Sequence, residues 1–317
     1  MAAPLPQAPL PHSPQPQPRP LRRGDRVGLV AASSALVGDE AQQRLSDGLA
    51  VLESWGLQVQ PSSAAGRRWG YLAGRDPERA ADLCPPEPAP ALHACLRGGW
   101  GAARLLERPL ALPAGWLVGF SDVTSLLWAQ LAQGGSGAVH GPLLTTLAAE
   151  PAWSQERLRA LLFGEPLPPL QGEIWRPGVA EGPLLAANLT VATHLLGTPH
   201  LPELRGAILV LEDVGEAPYR LDRLLTHWRL AGALQQLAGI GFGRFSGCDD
   251  PDPLPEQQFS VEQVLRERSA DLGIPVLAGL PVGHDPGNAA LPLGQWARLD
   301  GNRGRLELLP GTAALIS

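Results

Sequence analysis

Leu117-Val118-Gly119-Phe120-Ser121-Asp122-Val123-Thr124 predicts a buried strand, a sharp turn and a helix in immediate succession. Trp116, Leu117 and Val118 lead into Gly119, a hydroxyl and a carboxylate follow, and Val123, Leu126, Leu127 and Leu131 then recur at helical spacing. Ser121 is thereby expected at the turn, above the strand's C-terminal end. The first free N–H groups of the helix, from Asp122 onward, would lie beside it. Those groups carry partial positive charge and can stabilise an oxyanion formed when Ser121 attacks a carbonyl. The competing reading makes Ser121 or Asp122 only a helix N-cap. The G-x-S-x-G elbow pattern is not met, because Val123 stands where its second glycine would be.

Working outward, residues 26–32 read as a first buried strand ending in the polar turn Ser33-Ser34. Leu45, Leu49 and Leu52 mark a helix face that stops at Gly56, and Leu57-Gln58-Val59 follows as a short strand. Asp76-Pro77-Glu78 is a helix start, with a capping carboxylate and a proline at the first helical position. Residues 92–96 form the next strand, broken by Arg97-Gly98-Gly99-Trp100-Gly101, and Ala138-Val139-His140-Gly141-Pro142 ends another. Strands alternating with helices predict a parallel sheet covered on both faces, with the turns at Ser33, Gly98, Ser121 and His140 gathered beyond its C-terminal edge.

Pro166, Pro168, Pro169 and Pro177 mark residues 151–182 as a crossing linker. Beyond it, residues 207–211 form an apolar strand that ends in Glu212-Asp213, and Leu221, Leu224, Leu225 and Trp228 form a helix face closed by Gly232. Ser260 and Gln263 make a capping box. Val276-Leu277, residues 295–299 and residues 305–309 read as strands. The expected fold is therefore α/β: a parallel-sheet domain over residues 22–150, the linker, and a smaller strand-rich domain, barrel-like or a curled sheet, over residues 183–317.

A chain of 317 residues exceeds the usual single core, which agrees with two domains. Residues 1–21, rich in Pro, Gln and Ala and without an apolar h-region, read as a disordered tail rather than a secretion signal. Cys84, Cys95 and Cys248 are too far apart for a zinc knuckle or a disulfide framework, so a reducing cytoplasm is the expected location. No run of apolar residues is long enough to span a membrane, and the net charge of −6 argues against a nucleic-acid surface. All 25 basic residues are arginine. The absence of lysine excludes Ser–Lys dyads, Schiff-base and pyridoxal chemistry, and Walker-type phosphate loops.

Of the seven histidines, His12 falls in the tail, His93 in a strand, and His194 and His227 in helices, where structural roles are expected. His140 and His200 sit at element ends. His284 lies in Gly279-Leu280-Pro281-Val282-Gly283-His284-Asp285-Pro286-Gly287-Asn288, whose three glycines and two prolines suit a loop that places one side chain. An acid closing a buried strand can hold an imidazole in the right tautomer, and Glu212, Asp213, Glu216 and Asp222 all compete for that role. No metal-binding spacing is present. Gly99-Trp100-Gly101 matches part of a dinucleotide fingerprint, but Arg104 replaces the third glycine, so no cofactor is expected.

Several segments, in order, resemble the L,D-carboxypeptidase family, which comprises the muramoyl-tetrapeptide carboxypeptidases and the related microcin-immunity peptidases. They are Gly24-Asp25-Arg26-Val27, Tyr71-Leu72-Ala73-Gly74, Arg97-Gly98-Gly99-Trp100-Gly101-Ala102, Gly119-Phe120-Ser121-Asp122, Asn188-Leu189, Leu196-Gly197-Thr198-Pro199, the segment from Leu211-Glu212-Asp213 to Arg220, Gly283-His284 with Asn288, and Leu291-Pro292-Leu293-Gly294. The resemblance implies a serine peptidase divided between a Rossmann-like N-terminal domain and a barrel-like C-terminal one, with Ser121 as nucleophile, Glu212 as acid and His284 as base. The implied oxyanion hole uses the backbone of Asp122 with Gly98 or Gly99, and Trp100 and Asn188 become candidate substrate contacts. It further implies a murein tetrapeptide substrate losing its terminal D-alanine, no cofactor and a homodimer. The alternatives are a microcin-immunity-type peptidase acting on acyl-nucleotide conjugates and a non-catalytic muropeptide-binding protein. Trp100 and Phe120 replace tyrosines, and Ala186-Ala187 replaces glycines, that the family usually carries.

Overall fold

Apolar strands alternate with helices through the front half. The computed structural model describes residues 17–84, 88–249 and 259–310. Its first elements are β1 (Arg26–Val30), α1 (Asp39–Ser54), β2 (Gln58–Val59), α2 (Asp76–Ala81), β3 (Leu92–Cys95), β4 (Trp116–Gly119), α3 (Thr124–Ala132), β5 (Ala138–His140), α4 (Leu144–Leu147) and α5 (Ala152–Leu162). The five strands are parallel, in the order β5-β4-β3-β1-β2. The succession reverses between β1 and β3, and in doubly wound sheets the ligand crevice opens beyond the C-terminal strand ends at such a reversal. The residues of β3 and β4 are buried throughout, as strands covered on both faces must be. Asp76 opens α2 but does not cap it: Glu78 accepts the Arg75 N–H, while Asp76 binds Arg79 and Arg104.

The rear half comprises β6 (Leu170–Gln171), β7 (Glu173–Arg176), β8 (Val179–Asn188), α6 (Leu189–Thr193), β9 (Ile208–Val214), α7 (Pro218–Leu230), β10 (Gly239–Ser246), α8 (Val261–Ser269), β11 (Val276–Ala278), β12 (Leu291–Pro292), β13 (Trp296–Asp300) and β14 (Arg305–Leu308). Eight of these strands form one sheet in the order β6-β14-β13-β8-β9-β10-β11-β7. Only Gly172 separates β6 from β7, yet the two lie at opposite edges, so the sheet curls almost into a barrel. A Cβ at Gly172 would stand 2.8 Å from the Ala278 carbonyl oxygen, which is why glycine occupies the seam.

Residues 151–182, expected as a linker, do carry the chain from one sheet to the other, but through α5, β6 and β7. Leu158, Leu161 and Leu162 give α5 an apolar face on the front core, a periodicity that the prolines further on obscured. The strand expected to end at Leu211 continues as β9 through Glu212 and Asp213 to Val214. β10 was not anticipated, because its glycines mask the pattern. Gly241 and Gly243 leave room for Leu280 and Val282, and a Cβ at either glycine would approach them to 2.6 and 2.4 Å. β12 crosses back to pair antiparallel with β5, completing the six-stranded front sheet.

Residues 1–16 of the expected tail, with His12, lie outside the described residues. Residues 17–21 do not behave as a tail. Leu21 is buried and bonded to the Leu162 carbonyl, and Pro18 and Pro20 pack on Gly137 and Gly164, neither of which has a side chain in the way.

Helix α3 is buried on every side from Thr124 to Gln130, because it lies between the two sheets. Trp128 donates its indole N–H to Ala186 of β8 and meets Trp228 of α7 edge to face. One apolar core therefore runs from Val30 and Leu117 through Leu127 to Leu209 and Leu277, joining the halves, while a second core lies under α1, α4 and α5.

Candidate active site

Between β4 and α3 the chain makes a single 3-10 turn, Ser121–Val123. Gly119 permits it, since a Cβ there would come within 2.8 Å of the Val123 side chain. Among the described residues Ser121 is the only non-glycine in the left-handed region, with φ +62°. Such a conformation costs on the order of 1–3 kcal/mol, and the surroundings must hold it in place. Neither Ser121 nor Asp122 caps α3, so the N-cap reading fails. The Asp122 carboxylate instead accepts the Ser33 hydroxyl at 2.6 Å and the Ala102 N–H at 2.8 Å. Burial pushes its carboxyl up, and these donors pull it back. The ends of β1, β3 and β4 are thereby tied together around the serine.

The Arg97–Gly101 turn presses on the same point. A Cβ at Gly98 would lie 3.1 Å from Ser121 Oγ. Gly99 has φ +109°, and a Cβ there would stand 2.4 Å from Ser34 Oγ. That hydroxyl accepts the Trp100 N–H at 3.0 Å. Only a turn without side chains fits against the hydroxyl.

His284 arrives from the rear half, in the loop between β11 and β12. Gly283 donates to Asn288 Oδ1 at 3.1 Å, and Arg244 holds the Asp285 and Pro286 carbonyls. From the front half, Glu150 accepts the N–H groups of Gly287 and Asn288 at 2.6 and 3.0 Å, and the Ser154 hydroxyl donates to the Asn288 carbonyl at 2.8 Å. Gly243 lets this loop lie on β10 beside Glu212, its Cβ position being 3.3 Å from that residue's own Cβ.

The result is a hydrogen-bonded chain across the two halves. His284 Nε2 stands 3.1 Å from Ser121 Oγ, and His284 Nδ1 stands 2.7 Å from Glu212 Oε2. An Nδ1–H donated to the carboxylate leaves Nε2 free to accept the serine proton. The Phe120 ring meets the imidazole edge-on at 4.8 Å between centroids. Glu212 is completely buried, which pushes its carboxyl up, while the His284 hydrogen bond and charge pull it down. Its second oxygen meets no donor in hydrogen-bonding geometry among the described residues, and the Asn188 amide nearby adds a smaller downward pull.

The other acids are engaged elsewhere. Asp213 binds Asn188 and Thr190, Glu216 pairs with Arg220, and Asp222 pairs with Arg268. His140, the last residue of β5, is buried beside this site, and burial first and His284 second lower it to about 3. His93, within β3, is likewise lowered by burial to about 4. His194 and His227 are exposed. A cleft of about 500 Å³ opens at the hydroxyl, walled by Arg97, Gly98, Gly99, Phe120 and Leu143 on one side and by Val214 and His284 on the other. The ring of Trp100 is 45 % exposed outside these walls. Asn188 is buried, with Oδ1 capping α6 and Nδ2 bonded to Asp213. Among the described residues no group of three or more His, Cys, Asp or Glu side chains is placed to hold a metal ion, and no helix is long and apolar enough to cross a membrane.

Sequence reasoning missed Glu150, Ser154 and Arg244, which hold the His284 loop. They lie 137, 134 and 41 residues from their partners Gly287, Asn288 and Asp285, and no local pattern marks such pairs.

Comparison with known proteins follows the same division of the chain. Residues 27–141 match the LD-carboxypeptidase N-terminal domain, and residues 181–299 match the LD-carboxypeptidase C-terminal domain. A Synechocystis protein named "Putative carboxypeptidase" is 48% identical over 306 residues, covering 92% of this chain and 97% of that one. The murein tetrapeptide carboxypeptidase of Pseudomonas aeruginosa is 37% identical over 304 residues, covering 88% of this chain and 94% of that one. Among solved structures, the microcin C7 self-immunity protein MccF superposes with a TM-score of 0.80 at 22% identity, covering 93% of this chain and 98% of that chain, a likeness of fold.

Proposed function

The chain belongs to the LD-carboxypeptidase family and is a serine-type carboxypeptidase, and from that premise we propose that it releases the terminal D-alanine of murein tetrapeptides through Ser121, His284 and Glu212. The observation that carries the proposal is the unbroken hydrogen-bonded chain from Ser121 Oγ through the imidazole to Glu212 Oε2, with distances of 3.1 and 2.7 Å. Ser121 attacks the carbonyl of the penultimate residue while His284 Nε2 takes the hydroxyl proton. Glu212 keeps the imidazole in the Nδ1–H tautomer and stabilises its charged form, a role suited to a buried carboxylate hydrogen-bonded to that ring. The tetrahedral oxyanion is received by the Asp122 N–H, in the 3-10 turn that leads into α3, and by an N–H of the Gly98-Gly99 turn. Collapse of the intermediate passes the proton from His284 to the leaving amine of D-alanine. Water, deprotonated by the same imidazole, then hydrolyses the acyl-enzyme.

The murein assignment is supported by the name and 37% identity of the Pseudomonas aeruginosa relative. The likeness to MccF stands at 22% identity and carries no substrate with it. The test is release of D-alanine from a defined tetrapeptide, run beside a D,D-linked pentapeptide and an aminoacyl-sulfamoyl nucleoside. The tetrapeptide alone is expected to be cleaved. Ser121→Ala should lower that turnover by roughly four orders of magnitude or more with the fold intact. Native-rate D-alanine release by the Ser121→Ala protein would refute the mechanism, and cleavage of the nucleoside conjugate alone would refute the substrate.

A further inference from the structure

A carboxypeptidase must distinguish a chain end from an internal residue, and the feature that differs is a carboxylate one residue beyond the scissile carbonyl. That carboxylate stands about 3.5 Å, one residue's span, beyond the point of attack, and a cation that grips it would lie just past it in the same cleft. This chain has no lysine, so arginine is the permanently charged cation it can offer.

Two arginines line the cleft, Arg44 and Arg97. Arg44 is already paired with Glu40, one helical turn away. Arg97 is different. Its Nε donates to the Gly98 carbonyl and its Nη1 to the Ala35 carbonyl, both at 3.2 Å, and no carboxylate pairs with it among the described residues. These two bonds fold the guanidinium back over the Gly98-Gly99 turn, with Nη2 3.6 Å from where a Gly99 Cβ would stand. Gly98 is the residue whose Cβ position lies 3.1 Å from Ser121 Oγ. The half-buried Arg97 guanidinium is thus fixed by two carbonyls, has no counter-charge among the described residues, and lines the same cleft as Ser121, next in sequence to the glycine that packs on the hydroxyl. Leaving such a charge unpaired is unfavourable, and a planar fork suits a carboxylate in a bidentate pair.

We propose that Arg97 is the specificity-determining residue that grips the substrate's terminal carboxylate. The proposal rests on the carboxypeptidase reading above and adds the group that restricts the enzyme to chain ends.

Its test does not require turnover. A murein tetrapeptide and its C-terminal carboxamide are titrated by calorimetry into Ser121→Ala protein and into Ser121→Ala/Arg97→Met protein. The free acid should bind the first protein roughly 10–100-fold more tightly than the amide, the range expected for a charge-assisted hydrogen-bonded pair. In the second protein the ratio should fall to near one through loss of acid binding alone, and Arg97→Lys in place of Arg97→Met should restore part of it. Three results would overturn the proposal: no preference for the acid in the Ser121→Ala protein, a preference that survives Arg97→Met, or equal weakening of acid and amide. The last would mean that Arg97 only braces the glycine turn. Wild-type protein run beside these separates the two claims, since a preserved acid preference without D-alanine release sinks the tetrapeptidase reading and leaves Arg97 in place.

Discussion

The turn that carries Ser121 and the loop that carries His284 are built by opposite means. Ser121 is positioned by its own neighbourhood: the strand before it, the helix after it, and a strained φ of +62° that Asp122, Ser33 and the glycine turn hold in place. His284 has no regular element of its own. Its loop is fastened by Asn288 within the loop, by Arg244 on β10, and by Glu150 and Ser154 from the other half of the molecule. The front turn is held in a strained conformation by its own neighbours, whereas the rear loop is held by Asn288 within it and by distant groups that satisfy its backbone N–H and C=O groups. Alignment of the two therefore depends on the shared core around α3 and on the contacts that reach across it.

That contrast can be attacked at its weakest joints. Glu212→Gln leaves the packing in place but removes the charge that holds the imidazole. Turnover should fall by roughly 10³–10⁴-fold, measured as kcat for D-alanine release, and a fall under tenfold would place the acid elsewhere. Glu150→Ala orphans the Gly287 and Asn288 N–H groups and should loosen the rear loop alone. The expected effect is a fall in kcat of roughly 10–100-fold, with KM little changed. Rescue by Glu150→Gln, which restores an acceptor, distinguishes positioning from general loss of packing.

A smaller effect tests the front half. His93 is buried in β3 and lowered to about 4, below its unfolded value, so the unfolded chain binds the extra proton between about pH 6.5 and pH 4. Stability conferred by the neutral ring is present above that window and is lost as pH falls through it. Urea unfolding of His93→Leu should show an acid slope shallower than wild type by up to about 1.4 kcal/mol per pH unit. The buried carboxyl groups are common to both proteins and cancel in the difference. The smallest expected change concerns strain. Ser121→Gly should be about 1 kcal/mol more stable than Ser121→Ala in urea, because only glycine adopts that φ freely. Equal stability would mean that the turn stores no strain.

The doubly wound front sheet was legible because β1, β3 and β4 are short, mostly apolar runs, interrupted only by Arg26 and His93, that end in polar or glycine turns. In the rear half β10 was illegible for a physical reason. Its glycines exist to admit Leu280 and Val282, so the residues that seat the His284 loop are the ones that erase the strand's pattern. Ser121, Glu212 and His284 could be singled out from the residues that carry the family resemblance, yet spacing alone did not separate Glu212 from Asp213, Glu216 and Asp222. Tertiary structure separates them, since each rival already has a partner of its own.

The sequence by itself determined the strand–turn–helix around Ser121 and the parallel sheet that holds it, because periodicity, capping and glycine placement act over a few residues. Only the tertiary structure decided that His284 would stand 3.1 Å from that hydroxyl, that Glu150 would hold the imidazole's loop from 137 residues away, and that Arg97 would meet no counter-charge among the described residues. Those are relations between groups brought together by burial of a common core, and contacts at such separations leave no periodic mark in the chain.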